Sequence, residues 1–369
     1  MTRTARAAGA LYGLAIGDAL GMPTQSLPRA LIFSRYGEVL DGFHPAPSDQ
    51  PLAAGMPAGA ITDDTEQAVL LGELLVSSGG KIDGHELARK LLAWEDSMRA
   101  RGSLDLLGPS TKRAIDELLA GTDITESGRQ GTTNGAAMRI TPVGIATSLE
   151  IEGLLLDRVI AASAATHNTG LALSAAAAVA AAVSAGIDGA TVLEAIPIAI
   201  QAASNAASSG HWVAGADVAT RIQWATSLVT TTPPGSTSTG VSPTGALRTS
   251  ASTTGGPPLD DAASGGTSPR PGVVAALLYD LVGTSLASQE SVPAAFAVLA
   301  AYPDDPWLVC RLAASLGGDT DTIAAIAGAV AGACHGVDAF PPDARRTVAK
   351  VNNLRLDGLA ARLLEVRDA

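Results

Sequence analysis

Residues Gly317–Gly336 read GGDTDTIAAIAGAVAGACHG. From Ile323 to Cys334 there is nothing but Ile, Ala, Gly, Val and Cys. Such a composition favours a helix whose backbone can lie close against its neighbours. Four polar side chains stand at its start: Asp319, Thr320, Asp321 and Thr322. An N-cap needs one. Within a regular helix, residues 319 and 321 would point about 200° apart, whereas at an unwound helix start their carboxylates can converge.

The same device occurs earlier in AGAITDDTEQAVLL, with Thr62, Asp63, Asp64 and Thr65 ahead of another apolar run. Taken singly, each cluster is also an ordinary cap, with Glu66 answering Asp63 as a capping box. Taken together, the hard oxygens of the two suit Mg²⁺, Mn²⁺ or Ca²⁺ rather than zinc, which prefers nitrogen and sulfur. The positive end of each helix dipole would keep the carboxylates ionised. Two clusters of two carboxylates are enough for two ions.

Further out, segments such as DDTEQAVLLGELLVSSG, GHELARKLLAWEDSMRA and STKRAIDELLAG repeat apolar residues at helical spacing and end near glycine or polar clusters. Alanine dominates a chain that is 47% hydrophobic and only 3% aromatic, and alternating strand patterns are nearly absent. The expected fold class is all-α. The 369 residues could form one large domain or two ordinary ones. A tract of Gly, Ser, Thr and Pro at about 231–271 buries too little to offset the entropy of ordering. We read it as a flexible insertion in one domain, 1–369, because the clusters before and after it are expected to share a site. A linker between two domains is the alternative. No repeat of solenoid period is visible.

The net charge of −12 disfavours a nucleic-acid polymer as partner. Cys310 and Cys334 form no C-x-x-C pair and read as buried small side chains in a reducing compartment, and the five histidines lack zinc spacing. The N-terminal MTRTARAAGALYGLAIGDALG loosely mimics a signal peptide, but Asp18 closes its apolar run and no cleavage site follows, so it reads as an amphipathic helix leading into a polar turn. LALSAAAAVAAAVSAGI, Leu171–Ile187, is the one membrane-like stretch, and reads as a buried core helix. A cytoplasmic protein, without membrane contact and by default monomeric, is expected.

Several polar islands interrupt the small-residue helices. Asp18 lies in GLAIGDALGMPTQ, which Gln25 closes. Asn134, Gly135 and Arg139 lie in GTTNGAAMRITPVG, and Thr166, His167 and Asn168 in ATHNTGLALSAAAA. Gly108 and Ser110, in LLGPSTKRAI, open a further helix whose N–H groups could receive phosphate. Each has an ordinary alternative: a helix break at Gly17-Asp18, a left-handed turn at Asn134-Gly135, a buried ion-pair partner in Arg139, a cap at His167 or Ser110.

In order along the chain, GLAIGDALGMPTQ, ITDDT, LGPSTKRAI, TNGAAMRITPVG, THNTG, SQESVPAAFAVL and LGGDTDTIAAIAGAVAGA resemble the ADP-ribosylglycohydrolase family. Only the low-complexity tract lacks an obvious counterpart. The resemblance implies a compact all-α domain with two Mg²⁺ or Mn²⁺ ions in a cleft, held by Thr62, Asp63, Asp64, Asp319, Asp321 and Thr322. It implies Asp18 behind the metals, and Gly108, Ser110, Asn134, Gly135 and His167 along the diphosphate and ribose cleft. The expected reaction is hydrolysis of a ribosyl C1 bond on an ADP-ribosylated protein or small molecule, through an oxocarbenium-like state, with Asp63 or Asp321 taking the proton of the attacking water. One departure stands out: many members carry a glutamate where this chain has Gln25, which brings an oxygen ligand but no base. The chain also resembles a bacterial branch found beside sugar kinases and nucleoside transporters, which suggests a nucleoside or other small riboside as the alternative substrate. A catalytically silent ADP-ribose-binding protein is the third reading.

Overall fold

The structure, a computed structural model, describes residues 1–102, 107–233 and 269–369. The low-complexity tract therefore lies, from 234 to 268, outside the described residues. The helices run α1 (Arg3–Gly21), α2 (Arg29–Tyr36), α3 (Asp63–Ser77), α4 (Gly84–Ala100), α5 (Pro109–Leu119), α6 (Ile124–Ser127), α7 (Gly135–Met138), α8 (Thr141–Ala146) and α9 (Leu154–His167). They continue with α10 (Gly170–Ile187), α11 (Val192–Ala206), α12 (Val218–Thr230), α13 (Pro271–Leu277), α14 (Ser288–Ala301), α15 (Pro306–Ala313), α16 (Thr320–His335), α17 (Pro342–Val351) and α18 (Leu356–Asp368). Among the described residues there is no sheet, only three isolated bridges, Leu27 with Gly318, Thr133 with Ala287 and Thr169 with His211. The all-α expectation holds.

The helix that opened the sequence analysis, α16, lies antiparallel against α1, backbone to backbone. A Cβ on Gly9 would stand 2.3 Å from the carbonyl oxygen of Gly332, one on Gly13 2.0 Å from that of Gly328, and one on Gly17 1.9 Å from that of Ala324. At the last step, a Cβ on Gly21 would stand 2.4 Å from Asp321 Cα. Glycine recurs every fourth residue on α1 because that row is the contact ridge. The register delivers the C-terminal end of α1, with Asp18, to the start of α16, with Asp319 and Asp321. From Ala7 onward α1 is buried on every face, so it is not the amphipathic helix the sequence suggested, and Asp18 lies inside it rather than at a break.

Helix α10 has the length and hydropathy of a membrane span, with a mean hydropathy of 1.9, yet 89% of it is buried inside the fold, as expected of a core helix. It packs against α8, α9, α11 and α16. Both cysteines are buried free thiols, as read from the sequence. The C-terminal helix is tied down by Arg367, buried to 8% exposure, whose guanidinium donates to the carbonyls of Gly144, Ile145 and Thr147 and pairs with Asp188. Replacing Arg367 by Met should cost about 1.5–3 kcal/mol, the range for hydrogen bonds to charged groups. Urea unfolding at fixed metal content would measure the loss.

Candidate active site

The N-cap of α3 is Thr62, whose own side chain makes no cap bond. The cap comes from α1. The Asp18 carboxylate accepts from Thr62 N at 2.9 and 3.1 Å, from Thr65 N at 3.1 Å, and from the hydroxyls of Thr62 at 2.8 Å and Thr65 at 2.5 Å. Burial pushes this carboxyl up to about 6, against the pull of its four donors. The capping-box reading of Glu66 is corrected: its carboxylate takes the Trp94 indole N–H and pairs with Arg101, so it is committed to the α4 side. Asp18 thus holds the start of α3 from α1.

Asp64 and its neighbours form the centre. Its Oδ2 lies 3.3 Å from the hydroxyl oxygen of Thr62 and, across 258 positions of sequence, 3.3 Å from that of Thr322. Its other oxygen is buried without a hydrogen bond. Burial raises the Asp64 pKa well above the usual carboxylate value, and repulsion by Asp321, Asp63, Asp18 and Asp319 adds to it. Asp319, at the N-cap of α16, has non-helical backbone angles, φ −89° and ψ 60°. That turn lets its carboxyl meet Asp321, while Asn134 and Thr322 hydrogen-bond to it; burial still pushes Asp319 up to about 6. The two acidic clusters therefore come together in space.

Among the described residues, no three acidic, histidine or cysteine side chains already close around one point. The carboxylates stand as mutually repelling neighbours instead. The residues nonetheless fit a hard divalent cation. Carboxylate and hydroxyl oxygens are buried together, Asp64 keeps an oxygen with no donor, and their mutual repulsion is what a cation would relieve.

The other expected residues lie to one side. Asn134 is not in a left-handed turn: it is the N-cap of α7 with φ −77°, and its amide donates to Ser291 Oγ at 2.9 Å and to Asp319 Oδ2. Gly135 has to be small, because a Cβ there would lie 2.9 Å from His167 Cε1 and 3.5 Å from Thr111 Oγ1. His167 is fully buried, with Nδ1 at 2.8 Å from Thr166 Oγ1 and Nε2 at 3.0 Å from Thr133 Oγ1. Burial, and then the charges of Arg139 and Arg113, hold its pKa well below the usual 6.5, so the ring is neutral. Gly108 is the N-cap of α5, Pro109 opens that helix and Ser110 follows, buried. Thr111 brings this helix start beside Gly135. Gln25 lies three per cent exposed with its Nε2 unbonded, on a segment stitched to the turn ahead of α16 by Ser26 N to Gly318 O at 2.7 Å.

Sequence reasoning passed over Gln67, Thr133 and Ser291. Gln67, whose Nε2 donates to Asp63 Oδ2 at 2.9 Å, was open to discovery, since it stands one helical turn after Asp63. Thr133 lay unremarked in a quoted motif, and Ser291 carries no signal of its own.

An all-helical fold thus gathers acidic and hydroxyl side chains from two distant helix starts at one place. The chain belongs to the ADP-ribosylglycohydrolase family, whose sequence model matches residues 1–369. By class it is an ADP-ribosylglycohydrolase-like glycosidase. It is 32% identical over 368 residues to an uncharacterised protein, YegU, of Escherichia coli (strain K12), a match covering 99% of this chain and 98% of that one. It is 31% identical over 168 residues to the ADP-ribosyl-(dinitrogen reductase) glycohydrolase of Rhodospirillum rubrum, across 44% of this chain and 51% of that protein. With the ADP-ribosylarginine hydrolase Tri1 of Pseudomonas putida (strain GB-1) it shares 30% identity over 206 residues, across 53% and 50% of the two chains. A solved structure titled ADP-ribosylglycohydrolase-related protein complex has the same fold, with a TM-score of 0.63 over 99% of this chain and 98% of that one, at 23% identity.

Proposed function

We propose that this chain hydrolyses the ribosyl C1 bond of an ADP-ribosylated protein or small molecule, with two Mg²⁺ or Mn²⁺ ions as cofactors. The observation that carries the reading is the meeting of the two clusters on Asp64 Oδ2, which Thr62 approaches from one helix start and Thr322 from the other. Thr62, Asp63, Asp64, Asp319, Asp321 and Thr322 would hold the ions. When bound, such ions orient vicinal ribose hydroxyls and lower the pKa of water. Asp63, which is half-buried, or Asp321 accepts the proton of the attacking water. Asn134 fixes the Asp319 carboxylate, and Gly108, Ser110, Gly135 and His167 form the recess for the rest of the substrate. The names of the Rhodospirillum and Pseudomonas relatives support an ADP-ribosyl substrate over a nucleoside.

The test is release of free ADP-ribose from ADP-ribosylated arginine peptides and from small ADP-ribosyl conjugates, with Mn²⁺ or with chelator. Release that requires the metal is expected. Cleavage of plain nucleosides alone would transfer the reading to a riboside hydrolase. Tight ADP-ribose binding with no turnover of any ribosyl compound would leave a silent binder, with Gln25 as the suspected cause.

A further inference from the structure

Behind the acidic cluster lies Arg139, the largest side chain in the fold with essentially no exposure. It makes no ion pair within 4 Å among the described residues, and its charge is felt by Asp63 and by His167. Its hydrogen bonds run in two directions. One nitrogen, NH1, donates to Gln67 Oε1 at 3.3 Å, and Gln67 Nε2 donates in turn to Asp63 Oδ2 at 2.9 Å. The other, NH2, donates to Thr166 Oγ1 at 2.6 Å.

A guanidinium only donates, which fixes the direction of the bonds it makes itself. Gln67 must turn its carbonyl oxygen to Arg139, which turns its NH₂ to Asp63. Thr166, having accepted from Arg139, has its own proton to give. The nearer acceptor is His167 Nδ1 at 2.8 Å, against 3.4 Å for the Ser163 carbonyl. Donation to this nearer acceptor puts the His167 hydrogen on Nε2, which then donates to Thr133 Oγ1 at 3.0 Å; donation to Ser163 instead would leave the hydrogen on Nδ1. Thr133 precedes Asn134, whose amide holds Asp319. One buried cation thus sits at the head of two chains of hydrogen bonds, one reaching Asp63 and the other His167 and Thr133.

We infer that Arg139 is a positioning residue that acts through Gln67 on Asp63 and through Thr166 on His167, setting both the orientation of a metal-binding carboxylate and the tautomer of the histidine in the substrate recess. The inference rests on the metal-assisted reading above. Its placement accounts for an otherwise costly feature, a fully buried guanidinium with no salt bridge, which structure alone would replace by an apolar side chain.

The test has two independent readouts on the full-length protein. The first is Mn²⁺ binding by calorimetry, comparing wild type with Gln67→Met, which keeps the side-chain size and removes both amide bonds. Affinity should fall about 10-fold, within the range in which partners of metal ligands act. Equal affinity in the two proteins would overturn the Asp63 arm while leaving the metal reading intact. Absence of Mn²⁺ binding by the wild type would overturn both. The second is ¹⁵N NMR of histidine-labelled protein, with the His167 signal identified by its loss in His167→Gln. The wild type should show a neutral ring with its hydrogen on Nε2, and Thr166→Val should abolish that single tautomer. A wild-type hydrogen on Nδ1, or a tautomer indifferent to Thr166→Val, would overturn the histidine arm. Arg139→Met should move both readouts in the same directions, and an Arg139→Met protein that binds Mn²⁺ like the wild type and keeps its histidine tautomer would show Arg139 to be merely space-filling.

Discussion

Asp64→Asn should make the metal-free protein more stable and the enzyme inactive. The substitution removes a buried carboxylate repelled by four acidic neighbours and carrying an unbonded oxygen. The stabilisation has a defined pH dependence. Below about pH 4 the Asp64 carboxyl is protonated in the folded and the unfolded chain alike, and asparagine mimics it. As pH rises, the unfolded chain ionises first while the folded one resists, so the folded state binds more protons and the wild type loses stability. The variant does not. The difference in unfolding midpoint should therefore be small near pH 4 and grow toward neutrality. Taking the difference cancels the opposite contribution of His167, whose depressed pKa weakens the fold as pH falls below 6.5 in both proteins. Turnover should fall by more than about 100-fold, because even the outer partners of a metal ligand are worth about 10–100-fold. Thermal unfolding in chelator across that pH range, with a parallel activity assay, checks both. A variant that is no more stable at neutral pH, or that keeps its activity, would show that Asp64 does not sit in a metal-binding cluster.

Gly13→Leu should destroy the α1–α16 seam. A Cβ alone would overlap the Gly328 carbonyl oxygen at 2.0 Å and the Phe340 ring at 2.8 Å, and the opposing atom is backbone, which cannot turn aside. The cost should exceed the ~1–3 kcal/mol usual for overpacking. The site should fail with it, because this seam sets the register between Asp18 and Asp321. Gly358→Ala in α18 is the control: its Cβ meets nothing within 4 Å, and the helix should gain up to about 1 kcal/mol. Soluble yield and denaturant midpoints of the two variants make the comparison. A Gly13→Leu protein as stable as wild type would mean that the seam is not so closely packed.

Much of this was legible in the sequence for physical reasons. Glycine and alanine at four-residue spacing in α1 and α16 announce close helix contact. Extra carboxylates at two helix starts announce chemistry beyond capping. Pairing of the two starts could be argued from stoichiometry, but their meeting on Asp64 Oδ2 depends on the seam's register, which no local pattern encodes. The capping of α3 by Asp18 was hidden for the same reason: the donors and the acceptor are 44 and 47 residues apart. The Asn134-Gly135 pair suggested a left-handed turn, as that dipeptide does in isolation. Packing against His167 and the bond to Asp319 override that preference. Glu66 fitted a capping box by spacing, and a tryptophan from α4 claimed it first.

The measurement that bears most directly on the central claim is a calorimetric titration of the full-length protein with ADP-ribose, with and without Mg²⁺. The account predicts micromolar binding that requires the metal. Absence of ADP-ribose binding in protein shown separately to hold its metal would contradict it.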